Sequence, residues 1–302
     1  MTETHWAHRF DTFVRRKERQ AREAAVEGFL TLVNHSDRFT LERIGSPWTR
    51  DRFDGPFYRS SREDRRSLSL VFVRSREGNT VAEDPGSLGG GRTDQHLVYE
   101  GLSRVDADAV LAGAGTVLGA DVLFSVWHPE LVRLRAALDK PRHPTQIIVS
   151  SRRAVTVRDE LIFNVADVPA ILITTDEEAA AYVGSVARRP WVHVIGTGTS
   201  IDLRRALDTL AREHHLPVIS GVGGRTTAAA LLDAGLVQDL YLTTSPESGG
   251  EPGTSLEPAL ADHDCALVVR KHGRGSESGV RFDHFRLSGR TSRPEVQRRS
   301  PS

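Results

Sequence analysis

Cysteine is almost missing: the 302 residues hold one, Cys265. That excludes an internal disulfide framework and a cysteine-based zinc site. It makes a reducing cytoplasm the expected compartment. No apolar run approaches the roughly 18 residues that a membrane-spanning helix needs, so no membrane partner is expected. The opening stretch MTETHWAHRFDTFVRRKERQ has no apolar h-region, and no signal peptide is expected. Net charge is absent as well, with 40 basic residues against 40 acidic ones. A chain whose main partner is nucleic acid normally shows a basic excess, so nucleic acid is not the expected partner. Hydrophobic residues at 38% and charged residues at 26% suffice for a packed core and argue against wholesale disorder.

What is present divides the chain in three. From Trp6 to Leu32 apolar residues such as Phe10, Phe13, Val14, Ala21, Ala25 and Phe29 recur every three or four positions, which predicts a helix. A turn-rich, arginine-rich connection follows. Residues 1–66 are therefore expected to form a helical N-terminal extension without a core of its own, packed on the main domain or on a second subunit. From Leu68 onward strand and helix signals alternate: LSLVFVRS, VDADAVLAGAG, PTQIIVSS, PAILITTDEEAAAYVGSV, WVHVIGTGTSIDLRRALDTLA, LPVISGVGGRTTAAALLDAGL and DLYLTTSP. Such alternation predicts a mostly parallel sheet covered by helices. CALVVRKHGRGSESGVRFDHFRLSG reads as an antiparallel hairpin that closes the sheet. The main domain is expected over residues 67–288, with a disordered tail over 289–302.

Three strand ends share small residues and hydroxyls. They are Gly113-Ala114-Gly115-Thr116, Ser150-Ser151-Arg152-Arg153, and Gly223-Gly224-Arg225-Thr226-Thr227 directly before a helical run. Glycine lets a backbone approach a ligand closely, and a helix N-terminus presents free N–H groups to a phosphate. Two such ends in one parallel sheet suit a dinucleotide pyrophosphate, whereas any one of them alone is equally a tight turn. The hydroxyls and guanidinium of Ser150, Ser151 and Arg152 suit a 2′-phosphate, or form an exposed basic turn. No GxGxxG, P-loop or HExxH occurs, and no metal site is expected.

The order of these motifs resembles the reductase domain of bacterial riboflavin biosynthesis, the C-terminal part of the bifunctional deaminase-reductase. Ser75, Glu77 and Gly78 stand where that family has Ser-x-Asp-Gly. Asp108 to Val117 (DAVLAGAGTV) is similar to its DAVLxGxxTV signature, and Gly223-Gly224 to its Gly-Gly. Ala234-Gly235-Leu236-Val237, Asp239 and Pro246 continue its late pattern. The resemblance implies a dihydrofolate-reductase-like three-layer α/β/α fold, a homodimer, and an NADPH-dependent reductase that delivers hydride to a small heterocycle. Gly113, Gly115, Thr116, Ser150, Ser151, Arg152, Gly223, Gly224, Arg225 and Thr226 would then hold NADPH. The zinc motif of the deaminase half needs cysteines that this sequence does not have.

Departures from the family pattern fall where substrate should lie. A family lysine is Val71 here, a family glutamate is Val222, and a family arginine is Trp127. Losing that arginine removes bidentate recognition of a phosphate. Losing the other two removes candidates for proton transfer. Val71, Trp127 and Val222 thus predict a less polar pocket, with Trp127 either stacking on a substrate ring or filling core. Glu77, Ser75 and Asp121 are the expected polar groups of the pocket, with Glu77 the nominee for proton donor. The substrate expected is a pyrimidine or pterin. The alternative is a paralogue that binds a nucleotide or pterin without turning it over.

Overall fold

A computed structural model describes residues 3–60, 66–82, 88–119, 121–151 and 155–290. The chain opens with α1 (Glu3–Glu23), β1 (Phe29–Asn34), β2 (Leu41–Ile44), α2 (Pro47–Phe53) and β3 (Phe57–Ser60). Next come β4 (Ser67–Arg74), the short α3 (Gly91–Thr93) running on into a π-helical stretch (Asp94–Leu102), and β5 (Ala109–Gly113). Then α4 (Pro129–Ala137), β6 (Thr145–Val149), β7 (Ala170–Thr174), α5 (Asp176–Val186), β8 (Val192–Gly196), α6 (Leu203–Arg212), β9 (Val218–Val222) and α7 (Arg225–Asp233) alternate. The chain closes with β10 (Asp239–Thr244), α8 (Glu257–Leu260), β11 (His263–Gly273) and β12 (Arg281–Arg290).

Ten strands form one sheet in the order β1-β11-β12-β10-β4-β9-β5-β6-β7-β8. Strands β4 to β10 run parallel to their neighbours among themselves, while β12, β11 and β1 add on antiparallel. The architecture is the expected one: a mostly parallel sheet finished by a C-terminal hairpin. Both faces are covered, so the central strands read as continuous apolar runs; every residue of β5 and β7 is buried. One face carries Val71, Val110, Ala112, Val222 and Tyr241 against Leu97 and Val98 of the π-helical stretch. The other carries Leu70, Leu111, Ile147 and Leu240 against α6 and α7. Leu203, Ala206, Leu207 and Leu210 of α6 recur at the spacing of a single helix face, and all are buried. No described helix is long and apolar enough to cross a membrane.

The N-terminal segment differs from its expected form. The helix stops at Glu23, and Phe29–Asn34 becomes an edge strand of the main sheet, paired with β11. The reason is the pattern FLTLVN, which alternates in burial and suits a strand better than a helix turn. Gly28 sets the entry: its φ is +95°, and a Cβ there would lie 2.4 Å from the Arg52 carbonyl oxygen. β2 and β3 pair into a separate hairpin around α2, whose start is a capping box of Ser46 and Thr49. α1 lays Trp6, Phe13 and Ala21 onto Leu123, Trp127, Leu161, Val165 and Val168, so it docks on the main body.

Candidate active site

Strands β5, β6, β7 and β8 step outward in one direction, and the chain then returns to place β9 on the other side of β5. That reversal leaves a crevice outside the carboxyl ends of β5 and β9, the usual place for a ligand in an open parallel sheet. The turns that follow these strands interlock there. β5 ends at Gly113 and passes into a 3-10 turn, Ala114–Thr116. β9 ends at Val222, and Gly223 and Gly224 follow with φ of +67° and +78°, values that favour glycine. A Cβ on Gly113 would lie 2.6 Å from Thr227 Oγ1, and one on Gly223 would lie 3.0 Å from Thr116 Cγ2. Neither turn has room for a side chain on its inner side. Gly115 by contrast faces open space.

α7 starts at Gly224 without a side-chain cap, so its first N–H groups are open to a ligand. Arg225 and Thr226 beside them are exposed. A glycine cradle with an uncapped helix start fits the diphosphate of a nicotinamide dinucleotide. Just past the neighbouring strand β6, Ser150 is buried with its N–H bonded to the Ile173 carbonyl (3.0 Å), and Ser151 is exposed. Arg152 lies outside the described residues. The structure therefore brings Gly113, Gly115, Thr116, Ser150, Ser151, Gly223, Gly224, Arg225 and Thr226 to adjacent strand ends on one sheet edge.

The polar residues expected for the substrate side behave differently. Ser75 and Glu77 do sit at the carboxyl end of β4, in a tight turn closed by Gly78 N–H to the Ser75 carbonyl (3.0 Å). Glu77 accepts hydrogen bonds from the Ser248 hydroxyl, the Gly249 N–H (3.1 Å) and the Ser75 hydroxyl (3.0 Å). These bonds, the Ser248 one foremost, hold its carboxyl down to about 2. Glu77 is thus held as a hydrogen-bond-accepting carboxylate that fixes the loop. Asp121 is not in the crevice group either, because it forms an ion pair with Arg9 of α1 at 2.6 Å.

Trp127 fills core. It is 5% exposed, edge-on to Phe13 of α1 at 5.6 Å, with His143 at 5.7 Å and the Arg142 guanidinium over its ring at 5.4 Å. Of the two roles open to it in the sequence, α1 settles the matter by covering it. Val71 and Val222 are register partners on β4 and β9 and are almost wholly covered. They form the floor beneath the carboxyl edge rather than an open wall.

The π-helical stretch adds polar groups that sequence reasoning missed. Glu100 Oε2 accepts the Trp127 N–H (3.0 Å) and faces His96 Nδ1 at 3.3 Å. Arg104 is buried with its guanidinium 3.7 Å from the Tyr99 ring centre. One of its nitrogens bonds the Ser125 carbonyl, and Nε and Nη2 have no partner among the described residues. Ser103 bonds Ser220 of β9 and ties this stretch to the sheet. The available signal was the four-residue spacing of His96, Glu100 and Arg104, which sets three polar residues on one side of the helix.

The sequence model of the RibD C-terminal domain family matches residues 83–266. The chain belongs to this family. Among solved structures, a pyrimidine reductase-like protein of Corynebacterium diphtheriae is similar at TM-score 0.57 and 20% identity, covering 74% of this chain and 92% of that one. The riboflavin biosynthesis reductase Rib7 of Saccharomyces cerevisiae is similar at TM-score 0.52 and 16% identity, covering 76% and 93%. RibD of Acinetobacter baumannii is similar at TM-score 0.52 and 15% identity, covering 74% of this chain and 58% of that one. No curated protein matches the sequence. Family membership and the shared fold agree with the strand-end geometry, and the segment DAVLAGAGTV forms β5 and the turn after it.

Proposed function

We propose that this RibD C-terminal domain protein is an NADPH-dependent reductase of a small pyrimidine- or pterin-type substrate, working in the cytoplasm as a homodimer. The observation that carries the reading is the interlocked glycine cradle of Gly113, Gly223 and Gly224 beneath the uncapped start of α7. In this reading Gly113, Gly115, Thr116, Gly223, Gly224, Arg225 and Thr226 hold the cofactor diphosphate. Ser150, Ser151 and Arg152 meet the 2′-phosphate. NADPH supplies the hydride when bound; the protein orients it and shapes the pocket.

Substrate lies beside the ends of β4 and β9. Val71 and Val222 make that floor apolar, and Trp127 takes no part in phosphate recognition because α1 covers it. A flat substrate with little charge is favoured over a phosphorylated sugar. Residues 67–288 carry the reductase unit, and residues 1–66 are an arm whose strand β1 completes its sheet.

The test is a titration of the purified chain with NADPH, with NADH as control, followed by quenching of the four tryptophans. Tight binding with strong preference for NADPH is expected; no binding of either nucleotide overturns the reading. One observation favours a second reading, a binder without turnover: Glu77 is locked as an acceptor while Val71 and Val222 are apolar. That reading predicts NADPH binding with no oxidation by any pyrimidine or pterin.

A further inference from the structure

Strand β8 ends the ten-stranded sheet and has a neighbour on one side only. We infer that its open edge is the face through which two copies of this chain join, strand to strand about a two-fold axis. The inference rests on the homodimer of the proposed function and names the surface that makes it.

The backbone is the first argument. The Ala170 N–H bonds the Trp191 carbonyl (2.9 Å), and the Thr197 N–H bonds the Thr174 carbonyl (3.1 Å). The odd-numbered residues of β8 therefore turn toward β7. Hydrogen-bonding direction alternates along a strand, so Val194 and Gly196 point their N–H and carbonyl groups away from the sheet. No described residue takes those groups. Bare edges are usually guarded by lysine, proline, an inward charge or a covering element. The sequence of β8, VHVIG, has no lysine, proline or acid. The opposite edge of the same sheet is guarded: the outward N–H of Thr31 on β1 is taken by the Asp54 carboxylate at 2.7 Å.

Charge supplies the second argument, and it selects a second copy as the occupant. Arg205, Thr209 and Glu213 of α6 line a groove of about 400 Å³ along His193 to Gly196 of β8. The His193 and His214 rings are 5.4 Å apart, which sets the end of α6 beside the start of β8. The helix thus runs opposite to the strand. A two-fold axis at Val194 pairs that residue with its own copy and Val192 with Gly196 of the partner subunit. The even-numbered backbone groups then bond one another across the axis. The same axis passes near Thr209 and lays the two α6 helices antiparallel. Arg205 of each copy comes opposite Glu213 of the partner subunit. Both side chains are exposed, and neither forms an ion pair with a described residue. Eight residues apart on a helix, they stand about 12 Å from each other along its axis and cannot pair within one chain.

The other face of the edge agrees. Helix α5 lies over β8 and exposes Ala180, Val183, Gly184 and Ala187 on one side, with no charge among them. Val183 is 64% exposed. A close partner at the edge of β8 covers this uncharged side as well.

The experiment measures association of the full chain by light scattering over a dilution series, with hydrogen exchange of the β8 amides. The wild type is expected to be a dimer in which the Val194 and Gly196 amides exchange slowly. Arg205→Glu sets acid against acid across the axis, and Glu213→Arg sets base against base. Each alone should weaken association by roughly tenfold or more and speed exchange at those amides. An equimolar mixture of the two variants restores both opposite-sign pairs and should associate as the wild type does. Both substitutions suit the helix dipole, an acid near the start of α6 and a base at its end, so folding is not at risk. Both variants should bind NADPH as the wild type does. A wild-type monomer overturns the inference together with the homodimer. A wild-type dimer that neither charge reversal weakens, or a mixture that does not recover, overturns the inference and leaves the homodimer to another face. Loss of NADPH binding in the wild type strikes the reductase reading and leaves this interface standing on its own measurement.

Discussion

Single side chains decide this site by what they are already holding. Glu77 resembles a proton donor in sequence, but three hydrogen bonds commit it to the loop. Two substitutions separate core from site. Trp127→Ala removes a buried ring that touches Phe13 and His143, and should cost about 3–5 kcal/mol in urea unfolding while leaving NADPH affinity unchanged. Gly223→Ala forces a side chain into a left-handed backbone conformation and against Thr116. It should cost about 1–2 kcal/mol of stability and weaken NADPH at least tenfold in the quenching titration.

At the scale of elements, α1 is the part whose hold depends on pH. His143 lies between Phe10 of α1 and Trp127, and burial, then Arg142 and Arg135, depress it to about 3. His128, half-buried and beside His96, is depressed to about 4, by desolvation foremost. Both folded values lie below the ordinary value of 6.5. The unfolded chain thus binds more protons as pH falls below that value, and stability is lost on acidification. The melting temperature should fall between pH 7 and pH 5, and His143→Phe should flatten that slope. The alternating strands, their order of appearance and the glycine turns were legible in the sequence, because each is a local pattern. β1 was not, since FLTLVN follows a helical stretch and its partner lies at the far end of the chain. Arg104 was not either, because the burial of a charge is made by packing that no local window contains. The choice between stacking and core for Trp127 needed α1 in place.

For the molecule as a whole, the boundary near residue 66 is weaker than composition suggests. Lys271 of β11 is buried, with its Nζ on Thr31 Oγ1 (2.6 Å) and the Asp54 carbonyl (3.1 Å). Burial lowers it to about 8. Removing residues 1–60 takes away both acceptors and bares the edge of β11. Bare strand edges template association. The truncated chain should aggregate rather than yield a clean smaller species in light scattering, and Lys271→Met in that background should partly restore solubility.

The pairing of β1 with β11 also orders events in time. Thr31 and Lys271 are 240 residues apart. At a synthesis rate of about 5–20 residues per second, the partner of β1 leaves the ribosome roughly 12–48 s after β1 does. Through that interval Phe29, Leu30 and Leu32 belong to a strand with nothing to pair with, and only after the C-terminal hairpin is made can the sheet be closed at that edge. Strand β1 is made long before its partner and is among the last to be paired, so the nascent chain is exposed to chaperones and to aggregation at that strand.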